Sequence, residues 1–363
     1  MGLAKRYLVV GCGGFIGSHL LDALLPVPGV EVTGVDLAGE KIAGHVGRPN
    51  FTFLRGRLDG PGIWPRIRET VRVADAVINL AAICNPAEYT RQPLATMRAN
   101  ALETVPLIDL CAEHGTWLVQ FSTSEVYGRT LGSYLPDADG AGEDEFDEAA
   151  TPLVMGPVHN QRWCYAAAKQ FVERYVFAHG AESGMPWTIV RPFNFFGPRM
   201  DRLQTVPDDS APRVLASFMS ALIYGRPIQL VDGGRARRTV VAIDDAIDAV
   251  MRMLDRPGKA QGQIFNIGNR DNEVTIRALA HLMRRLHAEI TNEPKAHSHP
   301  IVVTPASAFY GEGYEDCDRR MPRLDRAREL LGWAPRRGLE DTLRPAMQYF
   351  VDEARRGLPL AAG

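Results

Sequence analysis

Tyr7-Leu-Val-Val-Gly11-Cys-Gly-Gly14-Phe-Ile-Gly17-Ser-His-Leu20 is the stretch on which the fold turns. An apolar run enters a glycine cluster, and a helical pattern, Ser18–Leu25, follows at once. A strand buried on both faces carries such an uninterrupted apolar run. Gly11, Gly14 and Gly17 have the spacing G-x-x-G-x-x-G, which permits a tight turn and lets backbone N–H groups and a helix N-terminus approach a pyrophosphate. The signature is completed by an acid about 20 residues further on, and Asp36 stands at the end of the next apolar run. Its carboxylate would accept hydrogen bonds from an adenine ribose and repel a 2′-phosphate, so the expected cofactor is NAD rather than NADP.

Outward from this unit, short runs rich in β-branched residues alternate with helical patterns. They are Val30–Val35, Phe51–Leu54, Ala76–Leu80, Trp117–Phe121 and Trp187–Val190. Such alternation predicts an α/β fold, a Rossmann-like doubly wound parallel sheet. Ile264–Ile267 reads as a late strand of the same region. After Arg191-Pro192 short β segments mix with helical patterns such as Asp244–Leu254 and Thr275–His287. We expect residues 1–192 to form an NAD-binding domain, with segments near 239–269 returning to it, and 193–350 mostly a smaller α+β substrate lobe.

The 363 residues can bury a large core, and 45% hydrophobic with 23% charged residues argues against disorder. A net charge of −2 favours neither nucleic acid nor an anionic membrane as partner, so any site for an acidic ligand must be local. The five cysteines, Cys12, Cys84, Cys111, Cys164 and Cys317, are odd in number and lack C-x-x-C spacing. That pattern suits a reducing cytoplasm better than a disulfide framework or a zinc site. No signal-peptide layout is evident and no apolar run reaches the ~20 residues of a membrane span, so a soluble cytoplasmic protein is expected. The acidic segment from Gly132 to Gln161 reads either as a solvated surface insertion or as a mobile lid.

Tyr165-Ala-Ala-Ala-Lys169 lies in a helical pattern, and its i, i+4 spacing puts both side chains on one face. Lys169, together with a nicotinium charge, should lower the phenol pKa so that Tyr165 serves as a base. Alone the pair is common surface chemistry. It gains meaning from Thr123, which follows Trp117–Phe121 where a doubly wound sheet opens its ligand crevice.

Gly11/Gly14/Gly17, Asp36, Asn79-Leu80-Ala81-Ala82, Ser122-Thr-Ser-Glu-Val-Tyr-Gly128, Tyr165/Lys169 and Arg191-Pro-Phe-Asn194 fall in a single order. In that order the chain resembles, over nearly its whole length, the extended short-chain dehydrogenase/reductase family of NAD-dependent epimerases and dehydratases. The resemblance implies cofactor contacts from Phe15, Ile16, Leu58, Leu80, Ala81 and Ala82 beside the glycines, Asp36, Tyr165 and Lys169. It also implies a nucleotide-sugar substrate in the second lobe. Arg57 departs from the family, many of whose members carry an acid there. The helical patterns Ala101–Ala112 and Ala166–Ala178 are apolar on more than one face, which fits the homodimers of this family.

Thr123-Ser124-Glu125 narrows the reaction. A 4,6-dehydratase would look like Thr-Asp-Glu, because elimination needs an acid that serine cannot replace. Thr-Ser-Glu-Val-Tyr-Gly is similar instead to UDP-glucuronate decarboxylases, which oxidise C4 and lose the C6 carboxylate as CO₂. Tyr310-Gly-Glu-Gly-Tyr314-Glu-Asp-Cys-Asp-Arg-Arg320-Met-Pro322 resembles the matching segment of plant-type UDP-apiose/UDP-xylose synthases. It also resembles that of the decarboxylase half of bifunctional polymyxin-resistance enzymes. In both groups the arginine matching Arg320 contacts the glucuronyl carboxylate. Ile83–Tyr89, Gln161-Arg-Trp163 and Pro198-Arg-Met-Asp201 are similar to the apiose/xylose group as well.

The implied catalytic set is Tyr165, Lys169, Thr123, Ser124, Glu125, Arg320 and Cys84. The implied substrate contacts are Glu125, Asn194, Arg213, Arg238, Tyr314 and Arg320. Plainer readings stand beside these. Arg320 pairs with Asp316 or Asp318, Cys84 is inert packing, Asn194 caps a turn, and the acids Glu312, Glu315, Asp316 and Asp318 are solvated rather than metal ligands. Ser124 stands where ring-contracting relatives carry cysteine, so UDP-4-keto-pentose or UDP-xylose is expected over UDP-apiose. The alternatives are an apiose-forming synthase, a UDP-sugar 4-epimerase and an NAD-sensing binding protein.

Overall fold

Alternation of side chains across a pleated strand explains why the apolar runs are continuous. Along β1 (Lys5–Val10), Leu8 and Val10 join a core with Ile67, Val71 and Leu107, whereas Tyr7 and Val9 join the opposite core with Leu20, Leu24 and Ile247. The computed structural model describes residues 5–129, 145–201, 203, 213–310, 315, 317 and 319–357, apart from the side chains of Ala87 and Tyr310. Further strands are β2 (Val30–Asp36), β3 (Phe51–Arg55), β4 (Ala76–Asn79), β5 (Trp117–Phe121), β6 (Trp187–Pro192) and β7 (Gln263–Ile267). They make one seven-stranded parallel sheet in the order β7-β6-β5-β4-β1-β2-β3.

The longer helices are α1 (Phe15–Leu24), α2 (Trp64–Val73), α3 (Val105–His114), α4 (Cys164–Ser183), α5 (Val214–Ile223), α6 (Ile243–Asp255), α7 (Ile276–Thr291) and α8 (Leu339–Arg355). Helices α2, α3 and α4 cover one face of the sheet, and α1 and α6 cover the other, where α5, α7 and α8 extend the same core. Strand order reverses between β1 and β4. A parallel sheet opens its ligand crevice at such a reversal, beyond the carboxyl ends of the strands. Short strands gather beyond that edge. Glu145–Phe146, Arg319–Pro322, Arg237–Thr239 and Glu273–Thr275 form a four-stranded sheet, with Arg238 in register beside Arg320.

Two expectations need correction. The pattern Ala101–Ala112 is not one α-helix: a π-helical turn, Arg98–Leu102, precedes α3, which starts at Val105. Pro106 is the reason, since proline lacks an N–H and suits a first turn rather than a helix interior. The segment Gly132–Gln161 lies outside the described residues up to 144, and from Glu145 onward it is in part packed against the fold rather than wholly a solvated insertion. Phe146 is buried against Tyr127, the carboxylate of Glu148 accepts the backbone N–H of Asn266 at 2.9 Å, and Glu145 pairs with Arg270 and Arg323.

Candidate active site

At the crevice the glycine loop is packed too tightly for side chains. A Cβ on Gly11, whose φ is +83°, would stand 2.8 Å from the Ala81 nitrogen; one on Gly13 would stand 2.0 Å from the Ala38 oxygen, and one on Gly17 2.2 Å from the Gly11 oxygen. Asp36 braces the loop from the end of β2, accepting the N–H of Gly13 at 2.8 Å and of Ala38 at 3.0 Å. Gly14 caps α1, so the N–H groups of Phe15 and Ile16 open its first turn. Leu80, Ala81 and Ala82 run out of β4 directly beside Gly11, and Leu58 is buried just after β3. Bare backbone donors at a helix N-terminus, with a carboxylate at the tip of β2, fit a dinucleotide. Arg57 forms ion pairs with Asp59 at 3.0 Å and Glu103 at 2.6 Å.

Beyond β5, Thr123 caps a short turn by accepting the N–H of Glu125 at 3.2 Å, and its hydroxyl is near enough to the Tyr165 phenol to favour the phenolate. Tyr165 and Lys169 sit in the first turns of α4, and both are buried. The Lys169 ammonium donates to the Phe121 carbonyl at 3.2 Å and lies 5.9 Å from the Tyr165 ring centre. Burial pushes the Lys169 pKa down to about 8. By themselves, the chain's own groups move the Tyr165 phenol upward rather than downward. Burial drives the phenol well above its usual range, Cys84 and Glu125 add to this, and the Thr123 hydroxyl and Arg213 pull the other way. Desolvation of a phenolate outweighs what the chain's own cations return.

Glu125 lies between two buried arginines. Arg162 grips it with both terminal nitrogens, at 2.6 and 3.0 Å, and Arg320 approaches to 3.5 Å. The Arg162 guanidinium also lies over the Tyr89 ring, 5.4 Å from its centre, and Tyr89 stacks on Tyr165 at 4.8 Å with the rings 7° from parallel. Arg162 and Tyr89 were not among the expected site residues. Their only sequence signal was membership of the stretches Gln161–Trp163 and Ile83–Tyr89.

Arg320 therefore belongs to the centre rather than to a charged surface loop. Ser124 is buried directly after Thr123. Cys84 is exposed, not packed, and its side chain is close enough to Tyr165, Lys169 and Arg213 to act on their charges. Arg213 is held by Asp201 through bonds of 3.0 and 2.5 Å, and it too bears on Tyr165. Asn194 has a φ of +47° and donates its amide to the Thr239 carbonyl at 2.8 Å, so it shapes a turn beside the Arg238 strand. Arg238 is half-buried, with one nitrogen on the Arg237 carbonyl at 2.7 Å. Tyr314, Glu312, Asp316 and Asp318 lie outside the described residues. Glu315 is not simply solvated: it accepts the indole N–H of Trp163. Among the described residues no cluster of His, Cys, Asp and Glu is arranged to hold a metal.

A glycine loop at the strand-order reversal and a Tyr/Lys/Thr centre beyond β5 define a Rossmann-type oxidoreductase. The chain belongs to the NAD dependent epimerase/dehydratase family, whose sequence profile matches residues 7–268. It is 44% identical to the UDP-D-apiose/UDP-D-xylose synthase of Oryza sativa over 94% of this chain and 88% of that protein. It is 42% identical to UDP-D-apiose/UDP-D-xylose synthase 1 of Arabidopsis thaliana, over 94% and 90%. Among solved structures, the PbgP3 protein of Burkholderia pseudomallei superposes with a TM-score of 0.82 at 31% identity, covering 97% of this chain and 98% of that one. UDP-glucuronic acid 4-epimerase from Bacillus cereus, in complex with UDP-glucuronic acid and NAD, has a TM-score of 0.76 at 20% identity, over 96% and 99% of the two chains, and shares the fold.

Proposed function

We propose that the protein oxidises UDP-glucuronate at C4, decarboxylates it, and releases UDP-4-keto-pentose or UDP-xylose. The observation that carries this reading is Arg320, buried 3.5 Å from Glu125 beside the Tyr165 centre, where a cation suits a sugar carboxylate better than a sugar hydroxyl. The curated relatives' names support it. NAD, when bound in the glycine cradle, supplies the hydride acceptor. Tyr165 takes the C4 hydroxyl proton, Thr123 orients that oxygen, and Lys169 favours the phenolate. With C4 a ketone, C6 is a β-keto carboxylate. The C5–C6 bond then breaks, its electron pair passes to the C4 oxygen as an enolate, and C5 is protonated to give the 4-keto-pentose; return to C4 of the hydride removed in the first step would give UDP-xylose. Arg320 fixes the departing carboxylate, while Arg162 neutralises Glu125 so that a second anion is tolerated nearby. We assign Arg213 and Arg238 to the substrate diphosphate, with Asn194 shaping the turn beside the Arg238 strand. We assign residues 1–192 with the 239–269 return to NAD binding, and most of 193–350 to the nucleotide sugar.

Ring contraction to UDP-apiose is a second reading, favoured by Cys84. Its thiol is exposed at the mouth of the site, where a proton-shuttling group would be required. Ser124 argues against it, because a serine hydroxyl yields a proton far less readily than a thiol.

We also read the protein as a cytoplasmic homodimer. Five free cysteines suit a reducing compartment, and no described helix is long and apolar enough to cross a membrane. Leu94, Leu102, Phe171 and Phe177 leave an apolar ridge exposed on α4 and the adjoining turns. The test of function is incubation with UDP-glucuronate, UDP-galacturonate and UDP-glucose, with products identified by mass and NMR. CO₂ release and UDP-xylose or the 4-keto-pentose from UDP-glucuronate are expected. Mere C4 epimerisation without loss of mass would make it an epimerase, dominant apiose (seen as its cyclic phosphate) a ring-contracting synthase, and NAD binding without turnover a sensor.

A further inference from the structure

The turn Gln161–Trp163, immediately ahead of α4, is tied twice to the segment that carries Arg320. One tie runs through Glu125, gripped by Arg162 and approached by Arg320. The other is Glu315. Its Oε2 accepts the indole N–H of Trp163 at 2.9 Å, and its Oε1 lies 3.9 Å from a guanidinium nitrogen of Arg129. Gly156 makes room for this bond: a Cβ there would stand 2.0 Å from Glu315 Oε2 and 2.8 Å from Trp163 Nε1. Trp163 is buried, so its N–H needs an acceptor. It finds one 152 residues away in the chain.

We propose that Glu315 is a positioning residue whose bond to Trp163 clasps the Arg320 strand to the helix bearing Tyr165. Tyr165 follows Trp163 by two residues, within the first turn of a long helix. Arg320 follows Glu315 by five, on a strand paired with Arg237–Thr239. Slack between Trp163 and Glu315 is therefore passed on to the distance between the base and the carboxylate-holding arginine. Small misplacements of that kind are costly, because the rate depends on both groups meeting one substrate at once. The clasp rests on the reading that Arg320 holds the glucuronate carboxylate.

The experiment compares wild type, Glu315→Ala, Glu315→Gln, Trp163→Phe, the double variant Glu315→Ala/Trp163→Phe and Arg320→Ala in steady-state turnover of UDP-glucuronate, with binding of UDP alone measured by calorimetry. Glu315→Ala and Trp163→Phe should each lower kcat/KM for UDP-glucuronate by about 10-fold, and the double variant should be no worse than either single. UDP affinity should stay as in wild type. Glu315→Gln, whose amide oxygen still accepts the indole N–H, should recover most of the loss. Wild-type kcat/KM in Glu315→Ala, or equal losses for UDP and UDP-glucuronate, would overturn the clasp. The clasp fails alone if wild type is active and Arg320→Ala impaired while Glu315→Ala is not. A wild type that ignores UDP-glucuronate overturns the substrate reading and takes the clasp with it. Glu315→Gln is isosteric with the native side chain, so that variant at least keeps the fold.

Discussion

Tyr165 stacks on a parallel aromatic ring, with the Thr123 hydroxyl acting on its phenol and its ammonium partner Lys169 deeply buried. Replacing it with phenylalanine removes one oxygen and leaves the stack with Tyr89. Tyr165→Phe should therefore fold and bind NAD normally while turnover of UDP-glucuronate falls about 10²–10⁴-fold, as for loss of a positioned acid–base group. Near-normal rates in stopped-flow NADH absorbance would rule out Tyr165 as the base. Lys169 brings a pH dependence of its own. With a pKa pushed down to about 8, it is cationic below that pH and neutral above. If its charge favours the phenolate, kcat/KM should fall as pH rises through about 8. Lys169→Arg, slower overall, should lack that alkaline limb because a guanidinium keeps its proton. A limb that persists in Lys169→Arg assigns it to another group. The residues of this centre were legible in the sequence as far as their signals were local: Tyr165 and Lys169 share one helix face, and Thr123 ends one strand. Arg162 and Glu315 were not, since their partners lie 37 and 152 positions away and nothing in the intervening chain announces the pairing. The plainer reading of Cys84 as packing fails for the same reason, because exposure beyond a buried strand depends on what folds over it.

On the proposed reading, the strand Arg319–Pro322 is what turns a general oxidoreductase centre toward carboxylates. Paired in parallel with Arg237–Thr239, it sets Arg238 and Arg320 side by side, and it buries Arg320 against Glu125. Arg320→Ala should weaken UDP-glucuronate binding by roughly 1.5–3 kcal/mol, about 10- to 200-fold, as expected of a lost charge-assisted bond. UDP alone should bind as before. Calorimetry with both ligands checks this, and equal losses would place Arg320 at the diphosphate or in the fold. At this scale the sequence read well where periodicity was strong. Trp117–Phe121 begins and ends where expected, and Asp244–Leu254 lengthens by one residue at each end. It read poorly where short strands owe their existence to partners, as Glu145–Phe146 does to Met321 and Pro322.

Across the whole molecule, the reading of a homodimer rests on the exposed apolar side chains Leu94, Leu102, Phe171 and Phe177. Leu102 is 61% exposed and Phe171 45% exposed, on elements that pack against each other. On the proposed reading, a second copy of the chain covers this surface. Phe171→Glu together with Leu102→Glu should convert a dimer into a folded monomer, read by sedimentation velocity. A monomeric wild type would leave the ridge without a partner of its own kind. The sheet carries another consequence, for synthesis on the ribosome. Strand β7 supplies the outer neighbour of β6, yet it is encoded after the whole stretch from Phe193 to Gly262. A nascent chain that has released Pro192 holds six of the seven strands and the entire dinucleotide cradle, but the backbone of Trp187–Pro192 is still open along one side. Unpaired strand edges recruit other chains. The protein is thus most prone to aggregate during translation, between the emergence of its cofactor site and the arrival of residue 263, the interval in which a chaperone would matter most.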